Sequence, residues 1–126
     1  MQIENFTMCD NAQDYMGKLV IVGTFNHIHT KALPVMFPGF SIAGRIEYSV
    51  GGNKEFKLSI KDPENVDFLP PQTWVTEVKM ENAYVGHANF CLSLNQIVFN
   101  KPGMYKAILE TEGIAREYKF FVNIAK

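Results

Sequence analysis

Cysteine is scarce in this 126-residue chain: there are two, Cys9 and Cys91, without CxxC spacing. That excludes a dense disulfide framework and leaves two reduced thiols as the expectation. Charge of one sign is lacking too. Lys and Arg number 12 against 13 Asp and Glu, a net charge of -1, which gives no general attraction to nucleic-acid phosphates or anionic lipid. Apolar runs last only a few residues, far short of the ~20 that a membrane-spanning helix needs. The opening Met1-Gln2-Ile3-Glu4-Asn5 has neither a basic nor an apolar stretch, so no secretion signal is read and a cytoplasmic location is expected. Long helical stripes are missing as well.

What remains is strand. With 47% apolar and 13% aromatic residues, the chain has enough to build one core, and a single domain over 1–126 is expected. Phe56, Leu58 and Ile60 alternate with Glu55, Lys57, Ser59 and Lys61, the mark of a strand with one dry and one wet face. Tyr118, Phe120, Val122 and Ile124 alternate likewise, as do Trp74, Thr76, Val78 and Met80. Further sets are Ile42, Gly44, Ile46 and Tyr48, then Phe90, Leu92 and Leu94. Residues 18–28 read as one strand, in which Leu19-Val20-Ile21-Val22 is apolar on both faces, as for a strand covered on both sides. A first strand runs from about Ile3 to Met8. The expected inward set comprises Ile21, Ile46, Leu58, Trp74, Val78, Leu92, Leu94, Tyr105, Leu109, Phe120 and Val122.

Turn signals set two registers. A two-residue loop at Glu112-Gly113 pairs Thr111 with Ile114, Ala107 with Tyr118 and Tyr105 with Phe120, which puts the apolar residues on one face. A three-residue loop over Gly51 to Asn53 would pair Tyr48 with Phe56, Ile46 with Leu58 and Gly44 with Ile60. Together these readings predict an all-β fold, an antiparallel β-sandwich of seven to eight strands, immunoglobulin-like, with a closed barrel as the alternative. Tyr105 follows Pro102-Gly103 at a strand start, where it suits either a tyrosine corner bonding back to nearby backbone or a simple core tyrosine.

Candidate chemistry is thin. His27 and His29 share a strand face, and so do His87 and Cys91, but neither spacing matches a zinc motif, so no metal ligand is assigned. Cys91 and His87 stand too far apart along a strand for a thiol–imidazole hydrogen bond, Glu64 and Asp67 read as solvated loop carboxylates, and no nucleophile elbow or phosphate loop is present. No catalytic residue and no cofactor is expected. The segment 33–40, Leu-Pro-Val-Met-Phe-Pro-Gly-Phe, stands out as an apolar connector. It either plugs one end of the core or offers Met36 or Phe37 at the surface as an anchor for a partner protein or a second copy.

The order Cys9-Asp10-Asn11-Ala12, Gly17-Lys18-Leu19, Ile21, Gly23 and Phe25 resembles the opening of an uncharacterised bacterial domain-of-unknown-function family of small all-β proteins. Pro38 with Phe40-Ser41-Ile42-Ala43-Gly44-Arg45-Ile46, and Pro102-Gly103-Met104-Tyr105, extend the resemblance across most of the chain. It implies a small β-sandwich of bacteria or their phages and carries no activity with it. Within the motif, Asp10 and Asn11 suit loop capping and Gly17 a turn. The expected role is a non-enzymatic binding or structural module acting through loops or a sheet face, without nucleic-acid or membrane partners. The alternative is a small-molecule binder or enzyme whose site is assembled from distant loops.

Overall fold

The computed structural model describes residues 1–125 and is all-β, with two sheets packed face to face. Its strands are β1 (Gln2–Tyr15), β2 (Lys18–Thr24), β3 (His27–Thr30), β4 (Val35–Tyr48), β5 (Gly52–Lys61), β6 (Asp67–Val78), β7 (Gly86–Phe99), β8 (Gly103–Thr111) and β9 (Ile114–Ile124). The first sheet has the order β2-β1-β4-β7 and the second β3-β9-β8-β5-β6. All pairings are antiparallel except β3 with β9, which is parallel.

Among the described residues nine strands replace the seven or eight expected, because residues 18–28 do not form one strand. The chain leaves the first sheet after Thr24, and His27–Thr30 joins the second, pairing His27 with Phe121 and Thr30 with Ile124. Nor is Leu19-Val20-Ile21-Val22 covered on both faces. β2 is an edge strand, and Val22 is exposed.

The β8–β9 hairpin has the register its turn and apolar parity demand: Thr111 opposite Ile114, Ala107 opposite Tyr118, Tyr105 opposite Phe120. Glu112 and Gly113 both take positive φ, as a two-residue hairpin turn requires. The β4–β5 hairpin expected over Gly51 to Asn53 is not formed. β4 lies in the first sheet and β5 in the second, so the loop is an arch across the sandwich. Tyr48 and Phe56 meet across the core, ring centroids 6.3 Å apart, rather than as neighbours in one sheet. Two strands that face the same core have compatible parities whether they pair or oppose, and alternation alone does not separate the cases. The hairpin partner of β5 is β6, with Phe56 opposite Trp74 and Leu58 opposite Gln72. The loop between them is closed by Asp62, whose carboxylate accepts the amides of Glu64 and Val66. Those amides, with Lys101, hold the Asp62 carboxyl below its ordinary range.

The core gathers Phe6, Met8, Ile42, Ile46, Leu58, Phe99, Tyr105, Leu109, Phe120 and Val122 between the sheets. Of the expected inward set, Trp74, Leu92 and Leu94 lie at its margin, half-buried. Ile21 lies elsewhere. It packs with Leu19 and Ala12 against Cys9 and Ala43 in a second, smaller cluster. Ala43 neighbours the inward Ile42 and Gly44, so this cluster sits on the outer face of the first sheet, covered by the β1–β2 hairpin folded back over it. Gly17 anchors that cover: its carbonyl accepts Asn89 Nδ2 at 3.1 Å and Arg45 Nη1 at 3.3 Å, while its amide donates to Asp14 at 2.9 Å. Asp10 and Asn11, expected to cap a loop, lie within β1. A Cβ at Gly23 would strike the Asp10 carboxylate, which fills the space the glycine leaves.

Tyr105 is fully buried, and its hydroxyl donates to the Lys101 carbonyl at 2.8 Å. Tyr105→Phe keeps the ring packing and leaves that carbonyl without its donor. The expected cost is about 1–3 kcal/mol in urea unfolding; a loss below about 0.5 kcal/mol would reduce Tyr105 to a packing residue.

Candidate functional site

β7 organises both surfaces on which function can be sought. It is 14 residues long and is an edge: β4 pairs with one side along its length, and no strand pairs with the other among the described residues, apart from an isolated Met80–Gly86 bridge at one end. Across the open side of the sandwich stands β6, the edge of the second sheet. Between the two edges lies a cleft of about 310 Å³ lined by Gln72, Thr73, Trp74, Phe90, Cys91 and Leu92. A smaller apolar recess continues it past Leu58, Leu69, Pro70 and Leu94. Trp74 stacks on Phe56 at 5.3 Å and leans on Phe90 at 5.4 Å, so the floor is aromatic and fixed. Phe90 has room because residue 44 is glycine; a Cβ there would clash with the Cε1–Cζ edge of the Phe90 ring.

The two edges differ in how they are protected. β6 bulges opposite Ser59, where it carries Pro70 and Pro71. Neither has an N–H to offer, which blunts this edge against another strand. β7 contains no proline, and between His87 and Asn95 it runs in unbroken register with β4.

On the outer face of the first sheet, β7 contributes to a polar network. Glu47 and His87 are direct cross-strand partners. β1 breaks register between Ile3 and Asn5, leaving Glu4 as the bulged residue, and a bulge re-aims the side chain it carries. Glu4 Oε1 lies 3.0 Å from His87 Nε2 and 3.4 Å from Arg45 Nε. Glu81, from the turn after β6, places Oε2 2.6 Å from His87 Nδ1. Gln2 donates to Glu47 at 3.2 Å, and Arg45 Nη1 donates to Asn89 Oδ1 at 2.9 Å. Ligand atoms of Glu4, Glu47 and His87 lie within 4.8 Å of one another, a grouping able to hold a metal ion. Residue spacing pairs His87 with Cys91 and misses Glu4 and Glu81. Only the bulge and the β6–β7 turn bring these two to the ring, and neither leaves a spacing signal.

Residues 33–40 are not a connector, since β4 begins at Val35. Met36 is 57% exposed and pairs with Val98, also exposed, while Phe37 is half-buried against Phe25 and Phe40 at 5.8 Å each. The inward parity switches between Phe37 and Phe40, where Gln96 on the partner strand takes φ 54. That switch puts Phe37 against the core and turns Met36 outward. His27 and His29 stack 5.8 Å apart on the exposed edge β3, and His27 Nδ1 meets Asn123. Glu64 and Asp67 are exposed, bridged to Lys101 and Lys61. Both thiols are free: Cys9 is buried, and desolvation pushes its thiol up. Cys91 is exposed on β7, and partial desolvation by its neighbours, with the Asp14 carboxylate, raises its thiol, away from the thiolate a nucleophile needs. No helix is long and apolar enough to cross a membrane among the described residues.

Compared with known proteins, the chain matches over residues 4–122 the model of a family described as a family of unknown function (DUF6941). This bears out the domain-of-unknown-function resemblance carried by the Cys9–Phe25 motif. No curated protein matches the chain.

Proposed function

The chain belongs to the family of unknown function DUF6941, and for it we propose a non-enzymatic binding module that takes an extended segment of a partner protein along the edge of β7. The observation that carries this reading is the pairing of an unblunted edge strand with an apolar cleft at its side. Strand addition draws affinity from main-chain hydrogen bonds and specificity from pockets for alternate side chains. β7 supplies the first, and the cleft between Trp74, Phe90 and Leu92 supplies the second. The occupant is therefore an extended peptide with apolar residues at alternate positions. The raised Cys9 and Cys91 thiols and the carboxylate-engaged His87 favour binding over nucleophilic catalysis.

The strand order supports an immunoglobulin-like sandwich: β5, β8 and β9 lie together in one sheet and β4 and β7 in the other, with Tyr105 bonding backward at the start of β8. Such sandwiches host many functions, so the edge and cleft carry the proposal and the fold does not.

Trp74 is the sole tryptophan and lines the cleft, which makes it a built-in reporter. The test is titration with synthetic nine-residue peptides that alternate Val, Leu or Phe with Thr and Lys. Trp74 emission is expected to shift to the blue, with backbone amide shifts concentrated on β7. N-methylation of the peptide amides that face β7 is expected to weaken binding at least tenfold. Amide shifts confined to other strands, or binding indifferent to N-methylation, would overturn the proposal, as would a protein that only self-associates through β7.

A further inference from the structure

We propose that Glu4, Glu47 and His87 form a binding site for one divalent transition-metal ion, with Glu81 as the residue that positions the imidazole. The site is separate from the β7 cleft, on the opposite face of the same sheet. Three observations converge on it. The first is the ligand set: one imidazole nitrogen and two carboxylates from three adjacent strands, with ligand atoms within 4.8 Å of one another. The 3.0 Å between His87 Nε2 and Glu4 Oε1 is close to the roughly 3.3 Å edge of a tetrahedron with bonds near 2.0 Å.

The second is the far side of the ring. Nδ1 faces Glu81 Oε2 at 2.6 Å and Nε2, on the other side of the ring, lies 3.0 Å from Glu4 Oε1, so an Nδ1–H donated to Glu81 leaves Nε2 free to act as the ligand. A carboxylate on the distal nitrogen is the usual support of a metal-bound histidine, fixing its tautomer and raising its basicity. At 3.0 Å the nitrogen and the carboxylate oxygen leave the place of one cation between them, a proton or a metal. Three carboxylates, Glu4, Glu47 and Glu81, converge on this one ring, with the Arg45 guanidinium 3.4 Å from Glu4 and that of Arg116 on the neighbouring Ile3 carbonyl.

The third is the bulge. Glu4 is the one residue of β1 out of register with β4 in this stretch, and the bulge turns it to the face that carries Glu47 and His87. The side chains are partly shielded, His87 at 17% and Glu4 at 31% exposure, leaving room for water to complete the coordination. Imidazole with carboxylate oxygens suits Zn²⁺ and its first-row neighbours, whereas Ca²⁺ takes oxygen ligands alone.

The test uses the full chain, stripped with a chelator and titrated with Zn²⁺ against a chromophoric competitor. One equivalent is expected to bind. His87→Ala is expected to lose at least a hundredfold in affinity, and Glu81→Gln about ten- to a hundredfold. Cys91→Ser and the His27→Ala/His29→Ala pair are expected to change nothing, which separates this site from the exposed thiol and the stacked histidines. The ¹⁵N spectrum of the ring distinguishes the two cations directly. Loss of the Nε2 proton resonance on adding Zn²⁺ supports the site. A persistent doubly protonated ring with no zinc taken up would overturn it, as would binding undiminished in a folded His87→Ala protein.

Discussion

Replacing Phe99 with alanine should cost about 3–5 kcal/mol in denaturant unfolding, the largest loss expected from truncating a single side chain of this core. Phe99 ends the edge strand β7, yet it is 0% exposed. Its ring stacks on Phe68 at 5.1 Å, meets Tyr105 edge-on at 5.4 Å, and touches Phe120 and Phe40 at 6.2 and 6.5 Å. Those partners come from β6, β8, β9 and β4, so this one side chain ties both sheets together at their open end. Truncation removes aromatic contacts on every side and leaves a cavity that rings from four strands cannot all relax into. Met36 provides the contrast. It lies next to Phe99's own cross-strand partner Val35 but faces outward, and Met36→Ala should stay within about 0.5 kcal/mol of the parent. Urea unfolding followed by Trp74 emission measures both. A Phe99→Ala loss under about 1.5 kcal/mol would mean that the aromatic cluster is far looser than its geometry.

Thr111→Val should cost about 2–4 kcal/mol despite its near-equal volume. Thr111 is 3% exposed, and its hydroxyl serves two neighbours. Oγ1 donates to the Glu55 carbonyl at 2.9 Å, which obliges the Tyr48 hydroxyl, 2.8 Å away, to donate to Thr111. The chain of bonds crosses from β4 in the first sheet to β8 and β5 in the second, at the arch. Valine would strand the Tyr48 hydroxyl and the Glu55 carbonyl together, and an orphaned buried polar group costs about 1–3 kcal/mol. The double variant Tyr48→Phe/Thr111→Val should be less destabilised than the sum of the singles, because removing the hydroxyl first leaves less to strand. Strict additivity in unfolding free energies would sink the network.

How far the fold is legible in the residues depends on whether two cues agree. At Glu112-Gly113 the turn residues and the apolar parity specify the same pairing, and the register follows. At Gly51 to Asn53 the parity is right for Ile46 and Leu58, since both are buried, but parity reports only which face is dry. It does not say whether the neighbouring dry face lies beside a strand or opposite it. The same limit hides β3, whose departure to the second sheet is made by the short Phe25-Asn26 break. Met36 and Phe37 are legible as apolar and conspicuous, whereas their orientation depends on the face switch at Gln96. The polar network on the outer face is least legible of all. His87 can be found by residue type, but Glu4 reaches it by a bulge and Glu81 by a turn, and neither leaves a trace in residue spacing.

The parallel pairing of β3 with β9 also has a kinetic consequence. During synthesis β3 is made early, in the N-terminal third, and its only partner in the sheet is β9, the last described strand to emerge. Until then the backbone of β3 lacks the strand it pairs with, and Ile28, buried in the finished protein, lacks one of the two sheets it packs between. Closing so long a loop costs chain entropy before any contact rewards it, which places this fold among the slower β-topologies, in the range of milliseconds to seconds. The edge formed by β3 is thus the seam at which the molecule is finally closed.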